Sequence, residues 1–141
     1  MKIRIINGPN LNLLGTRDPE VYGGRSFDDF LSELNERYPN VGFSNFQSNH
    51  EGELVDDIQA CMGVQDAIII NAGGYTHTSV AIGDALSAAD VAAVEVHISH
   101  VYDREMFRHE SRLSHGVIGV ITGFGLDSYR LAVEALLERQ R

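Results

Sequence analysis

AIIIN, residues 67–71, is the stretch on which the fold turns. An unbroken apolar run that ends in Asn71 and is followed by Gly73-Gly74 suits a strand covered on both faces. Such strands belong to parallel sheets packed between helices. Upstream, Glu53 to Cys61 has helical spacing, with Leu54, Val55 and Ile58 as its apolar stripe. Before it, VGFSNF (41–46) reads as a strand. Ser26 followed by Asp29 resembles a helix-starting box, and Phe27, Phe30, Leu31 and Leu34 keep helical spacing until Pro39-Asn40. KIRII (2–6) is the first strand. Downstream, a helix is expected from about Val80 to Ala88, a strand at VAAVEVH (91–97), and a strand at VIGVIT (117–122). Arg104 to Leu113 reads as a short helix or loop, and Asp127 to Arg139 as a closing helix.

Five strands separated by helical segments imply right-handed crossovers. The natural solution is an α/β, flavodoxin-like doubly wound sheet of five parallel strands, order 2-1-3-4-5, with helices on both faces. Residues 1–141 then form one domain. Ligands of such sheets bind beyond the carboxyl ends of the strands, where the order reverses between strands one and three. Three segments should therefore converge: the Gly-, Pro- and Asn-rich loop 7–24, Asn71 to Thr78, and His97 to Ser99.

Composition removes several function classes. Lys+Arg is 11 and Asp+Glu is 20, a formal charge of −9. No basic block is present to follow a phosphate backbone, so nucleic-acid binding is not expected. No apolar run approaches ~18 residues, so no membrane span is expected, and an acidic surface is repelled by anionic lipid. The chain is expected in the cytoplasm. The single cysteine, Cys61, cannot build an intrachain disulfide or a cysteine-based metal cage. The single lysine, Lys2, sits beside the N-terminus, so a Schiff-base mechanism has no interior candidate.

The predicted edge is rich in chemistry. Asn10, Arg17 and Tyr22 follow strand one; Asn71, Gly73, Gly74 and His77 follow strand three; Glu95, His97 and Ser99 close strand four. Glu95, His97 and Ser99 alternate, so an extended backbone points them the same way. A carboxylate two residues before a histidine can orient the ring and stabilise its charged form. A guanidinium such as Arg17 within ~4–6 Å of Tyr22 could lower the phenol by ~1–3 units, to a usable base. His50, His109 and His115 have no such company and read as ordinary surface or edge residues. Arg104, Arg108 and Arg112 would share one face if helical, for an anionic or polyhydroxy ligand or for ion pairs with Glu105 and Glu110.

Other motifs read structurally. GFGLDS (123–128) lacks the third glycine of a dinucleotide loop and is a strand-to-helix turn. Gly8 to Gly15 is no P-loop, because Thr16-Arg17 replaces the lysine-hydroxyl pair. His97 and His100 lack a third metal ligand at suitable spacing. Cys61 reads as a small buried hydrophobe.

INGPNLNLLGTRDPEVYG (6–23), QSNHEGELVDDIQ (47–59), NAGGYTHTSVAIGDAL (71–86), EVHISH (95–100) and REMFRHES (104–111) together resemble type II 3-dehydroquinate dehydratase. The resemblance runs from Ile3 to the terminal helix. It implies reversible anti elimination of water from 3-dehydroquinate to 3-dehydroshikimate through an enolate, in the shikimate pathway for aromatic amino acid biosynthesis, without metal or organic cofactor. It implies Tyr22 as base, Arg17 as the group holding it as phenolate on a closing lid, and Asn10 as the holder of an enolate-stabilising water. His97, polarised by Glu95, would be the general acid. Asn71, the Ile98 and Ser99 amides and the Ser99 hydroxyl would hold the substrate carboxylate; His77 and Arg108 would bind ring hydroxyls. Asp84 would reach a neighbouring subunit's site, in a homododecamer built from trimers. Gly83, His100 and Val117 depart from the family's usual Arg or Lys, Asn, and Ala. The competing reading is a non-catalytic flavodoxin-like small-molecule-binding module, which needs neither the tyrosine–arginine pair nor the Glu95–His97 pair.

Overall fold

A computed structural model describes residues 1–16, 20 and 24–140. Five strands, β1 (Lys2–Asn7), β2 (Gly42–Gln47), β3 (Ala67–Asn71), β4 (Ala92–His97) and β5 (Gly119–Thr122), pair in parallel in the order β2-β1-β3-β4-β5. Among the described residues, four α-helices cover them: α1 (Phe27–Arg37), α2 (Glu51–Ala60), α3 (Val80–Ala89) and α4 (Asp127–Arg139). This is the expected doubly wound order.

The run 67–71 explains the layering. All five of its residues are buried. Their alternation sends Ile69 into one core, with Ile3, Ile5, Val94, Val96 and the apolar faces of α1 and α4. Ile68 and Ile70 enter the other, with Ile6, Leu54, Ile58, Ile82 and Leu86 on α2 and α3. Each fully buried isoleucine contributes about 1.5–3 kcal/mol, so β3 anchors both faces at once. The α1 start is a reciprocal box: the Asp29 amide donates to Ser26 Oγ at 3.1 Å, and the Ser26 amide to the Asp29 carboxylate at 3.3 Å.

Residues 104–113, expected as a short helix or loop, take the loop form and build no α-helix. The region is built of short 3₁₀ turns, Val101–Asp103, Met106–His109 and Ser114–Gly116. Its polar groups bond outward instead of up a helix: the Arg112 amide donates to the Thr76 carbonyl at 2.8 Å, and the Glu110 carbonyl accepts from His77 at 2.7 Å. The fifth strand starts later than the expected residue 117. The turn before it presses on α3, where a Cβ on Gly116 would stand 2.7 Å from Leu86 Cβ, and pairing with β4 begins only at Gly119.

Candidate active site

A groove of about 200 Å³ opens at the carboxyl ends of β1, β3 and β4. It suits a single small ring rather than a dinucleotide. Asn10, Asn71, His77, His97, Ile98, Ser99 and Arg108 all line it, so loops far apart in the chain meet at the predicted switch point. Arg17 and Tyr22 lie outside the described residues.

Register sets the spacing. Asn7 on β1 pairs with Asn71 on β3, and Ile70 pairs with Glu95 on β4. Glu95 and His97 share a face of β4, and the Glu95 carboxylate accepts from His97 Nε2 at 2.6 Å. Both are buried, with Glu95 only 1% exposed. A carboxylate accepts only, so this bond fixes Nε2 as the protonated nitrogen and leaves Nδ1 for exchange with a ligand. Ser111 donates to the other oxygen of Glu95 at 2.7 Å. Ser99 lies just past the strand, where its hydroxyl accepts from Arg104 at 3.2 Å.

Asn71 is placed by a buried chain. Its side-chain nitrogen donates to the Tyr129 hydroxyl at 3.0 Å, which donates to Asn7 Oδ1 at 2.7 Å. The Gly73 amide donates to Asn71 Oδ1 at 3.2 Å. One amide proton of Asn71 is left for the groove. Full burial pushes the Tyr129 hydroxyl far above the ordinary phenol value, so it stays a neutral donor.

His77 packs its ring nearly parallel to His97, centroids 6.2 Å apart. Its Nδ1 donates to the Glu110 carbonyl, which leaves Nε2 as an acceptor. Burial is the main cause that lowers its pKa below the ordinary histidine value and favours that neutral form. Arg108 ion-pairs through Nε with Glu105, and that guanidinium holds the Glu105 carboxyl below its ordinary value. The two terminal nitrogens of Arg108 remain as donors. Asn10 holds a left-handed backbone, φ 70°, which asparagine tolerates, and its amide donates to Asn49 Oδ1 at 3.0 Å.

The shared arginine face does not exist. Arg104 and Arg108 line the groove, whereas Arg112 turns away toward Glu110 at 3.7 Å. Asp84 is also outside the groove; it is exposed on α3 and sits 3.6 Å from His115. Sequence reasoning assigned no site role to Ser111, Tyr129 or Asn7. Tyr129 has the spacing of any core residue and Ser111 is one serine in a polar loop, so neither carries a local signal. Among the described residues, no group of three His, Cys, Asp or Glu side chains is placed to hold a metal ion, and no helix is long and apolar enough to cross a membrane.

A family profile described as dehydroquinase class II matches residues 1–137. A 3-dehydroquinate dehydratase of Exiguobacterium is 54% identical over 142 aligned positions, covering 100% of this chain and 97% of that protein. A 3-dehydroquinate dehydratase of Prochlorococcus marinus subsp. pastoris is 50% identical over 140, covering 98% and 96%. The crystal structure of type II dehydroquinase from Butyrivibrio crossotus superposes with a TM-score of 0.91 at 44% identity, covering 96% of this chain and 97% of that one. Sequence, fold and end-to-end coverage agree, and the chain belongs to the class II dehydroquinase family.

Proposed function

We propose that this protein is a hydro-lyase that converts 3-dehydroquinate to 3-dehydroshikimate reversibly, by anti elimination through an enolate, in the shikimate pathway. The observation that carries the reading is the buried Glu95–His97 pair at the groove, in a chain half identical to enzymes of that name. The proton to be removed lies alpha to a ketone. Tyr22, held as phenolate by Arg17, takes it, and the C–H electron pair moves into the enolate. Asn10 holds a water against the enolate oxygen. The enolate then collapses and expels the hydroxyl, which His97 protonates through Nδ1 so that it leaves as water. Glu95 stabilises the imidazolium that donates this proton. Anti stereochemistry requires the base and the acid to act on opposite faces of the ring.

Asn71, the Ile98 and Ser99 amides and the Ser99 hydroxyl bind the substrate carboxylate. His77 Nε2 accepts from one ring hydroxyl, and Arg108 donates to another. The chemistry uses side chains alone, with no metal or organic cofactor. The enzyme acts in the cytoplasm as a homododecamer of trimers, in which Asp84 meets a neighbour's groove. Edge strand β5 supports assembly, since Val120 on it and Ile118 beside it are exposed. Replacing Tyr22 by Phe tests the reading: turnover should be lost while substrate still binds, as isothermal calorimetry would record. Turnover near the parental rate would remove the base.

A further inference from the structure

Ser111 is tied on both sides. Its hydroxyl oxygen accepts from the Leu113 amide at 3.1 Å, and its proton goes to Glu95 Oε2 at 2.7 Å. A hydroxyl has one proton, so the backbone donor on one side directs that proton at the carboxylate on the other. Glu95 thereby accepts on both oxygens, from Ser111 and from His97. With Oε2 held, the carboxylate plane cannot turn, and Oε1 stays in line with Nε2. The anchor is itself fixed: Leu113 is fully buried and the adjacent Arg112 amide is bonded to the Thr76 carbonyl. The segment also carries Arg108, on the groove wall, and the Glu110 carbonyl that sets the His77 tautomer.

We propose that Ser111 is a positioning residue for the acid step: it locks the Glu95 carboxylate, which keeps Nε2 of His97 bound and protonated, so that the second proton of the imidazolium sits on Nδ1 and goes from there to the leaving hydroxyl. The proposal rests on the dehydratase reading for its kinetic consequence but not for its structural one. Ser111 does not line the groove, and its hydroxyl is bonded to Glu95 and the Leu113 amide, so its loss should leave substrate binding alone. Ser111→Ala is expected to lower kcat by about 10- to 100-fold, with KM changed less than about twofold. Ser111→Thr keeps the hydroxyl and should recover kcat to within about threefold of the parent. On a Glu95→Gln background, Ser111→Ala should cost almost nothing, because the group it acts through is already gone.

The second readout is independent of turnover. Solid-state NMR of protein labelled with ¹⁵N in its histidine rings, with His97→Ala as the assignment control, reports the tautomer at mildly alkaline pH. The parent should show His97 protonated at Nε2 alone, and Ser111→Ala should add the Nδ1-protonated form. A parent inactive on 3-dehydroquinate sinks the dehydratase reading, and the tautomer result still decides the role of Ser111. Three results would overturn the role: an unaltered tautomer in Ser111→Ala, a raised KM with kcat intact, or a threonine variant as slow as the alanine one. A hydroxyl needed only for the turn to Leu113 would lower the unfolding temperature and leave the tautomer as it was, which also overturns it.

Discussion

At the scale of single residues, the groove is a set of side chains whose protons are already assigned. Glu95 accepts, so His97 is protonated at Nε2; the Glu110 carbonyl accepts, so His77 is protonated at Nδ1. Two histidines nearly parallel to each other therefore present opposite ring nitrogens to a ligand. The depressed pKa of His77 has a consequence for stability. A depressed histidine binds fewer protons folded than unfolded, so its contribution is complete above the ordinary value of 6.5 and is lost as pH falls through its lower folded value. Urea unfolding from about pH 8 to about pH 5 should show His77→Gln losing stability less steeply than the parent. Identical slopes would contradict the assignment. Glu95 and His97 were legible in the sequence because two residues along a strand return to one face. Ser111 was not, because its contact with Glu95 depends on a turn that no periodicity marks.

At the scale of elements, the site depends on three strand ends held in register. Asn7, Asn71 and Tyr129 join β1, β3 and α4 in one buried hydrogen-bonded chain. Tyr129→Phe keeps the ring and its edge-on contact with Phe27, centroids 5.3 Å apart, but leaves Asn7 and Asn71 without their partner. That should cost about 1–3 kcal/mol, read as a lower urea midpoint with an unchanged m-value, and raise KM as Asn71 loosens. A parental midpoint would mean that the chain carries no stability. α3 shows the same dependence on close approach. A Cβ on Gly83 would meet the Arg112 carbonyl at 2.3 Å, so this glycine lets the helix press against the segment that ends the groove wall. The strands and long helices were readable from apolar spacing. The 104–113 segment left a short helix or a loop open in the sequence because its arginine spacing is helical; the Arg112 amide and the Glu110 carbonyl are committed instead to Thr76 and His77.

At the scale of the molecule, charge and edges matter. The chain carries −9 overall, yet Arg104 and Arg108 both line one groove. If these guanidinium groups draw the substrate carboxylate in against the net field, as proposed, added salt should raise KM more than it lowers kcat. The open edge of β5, with Val120 and Ile118 exposed, is a surface that assembly would cover. Sedimentation equilibrium should return a dodecamer mass, and a fully active monomer would contradict the assembly. The sheet order was legible because alternating strands and helices leave few topologies. The proposed assembly was not, since one chain's pattern does not name a neighbour.

A cofactor-independent dehydration driven by the His97–Glu95 acid can be measured outright. The direct measurement follows the ultraviolet absorbance of the conjugated product from 3-dehydroquinate. It uses purified protein with chelator present and after borohydride treatment, with His97→Ala in parallel. Turnover should survive both treatments and fall by about 10²–10⁴ in the variant. Turnover abolished by chelator or borohydride, or retained by His97→Ala, would contradict that mechanism.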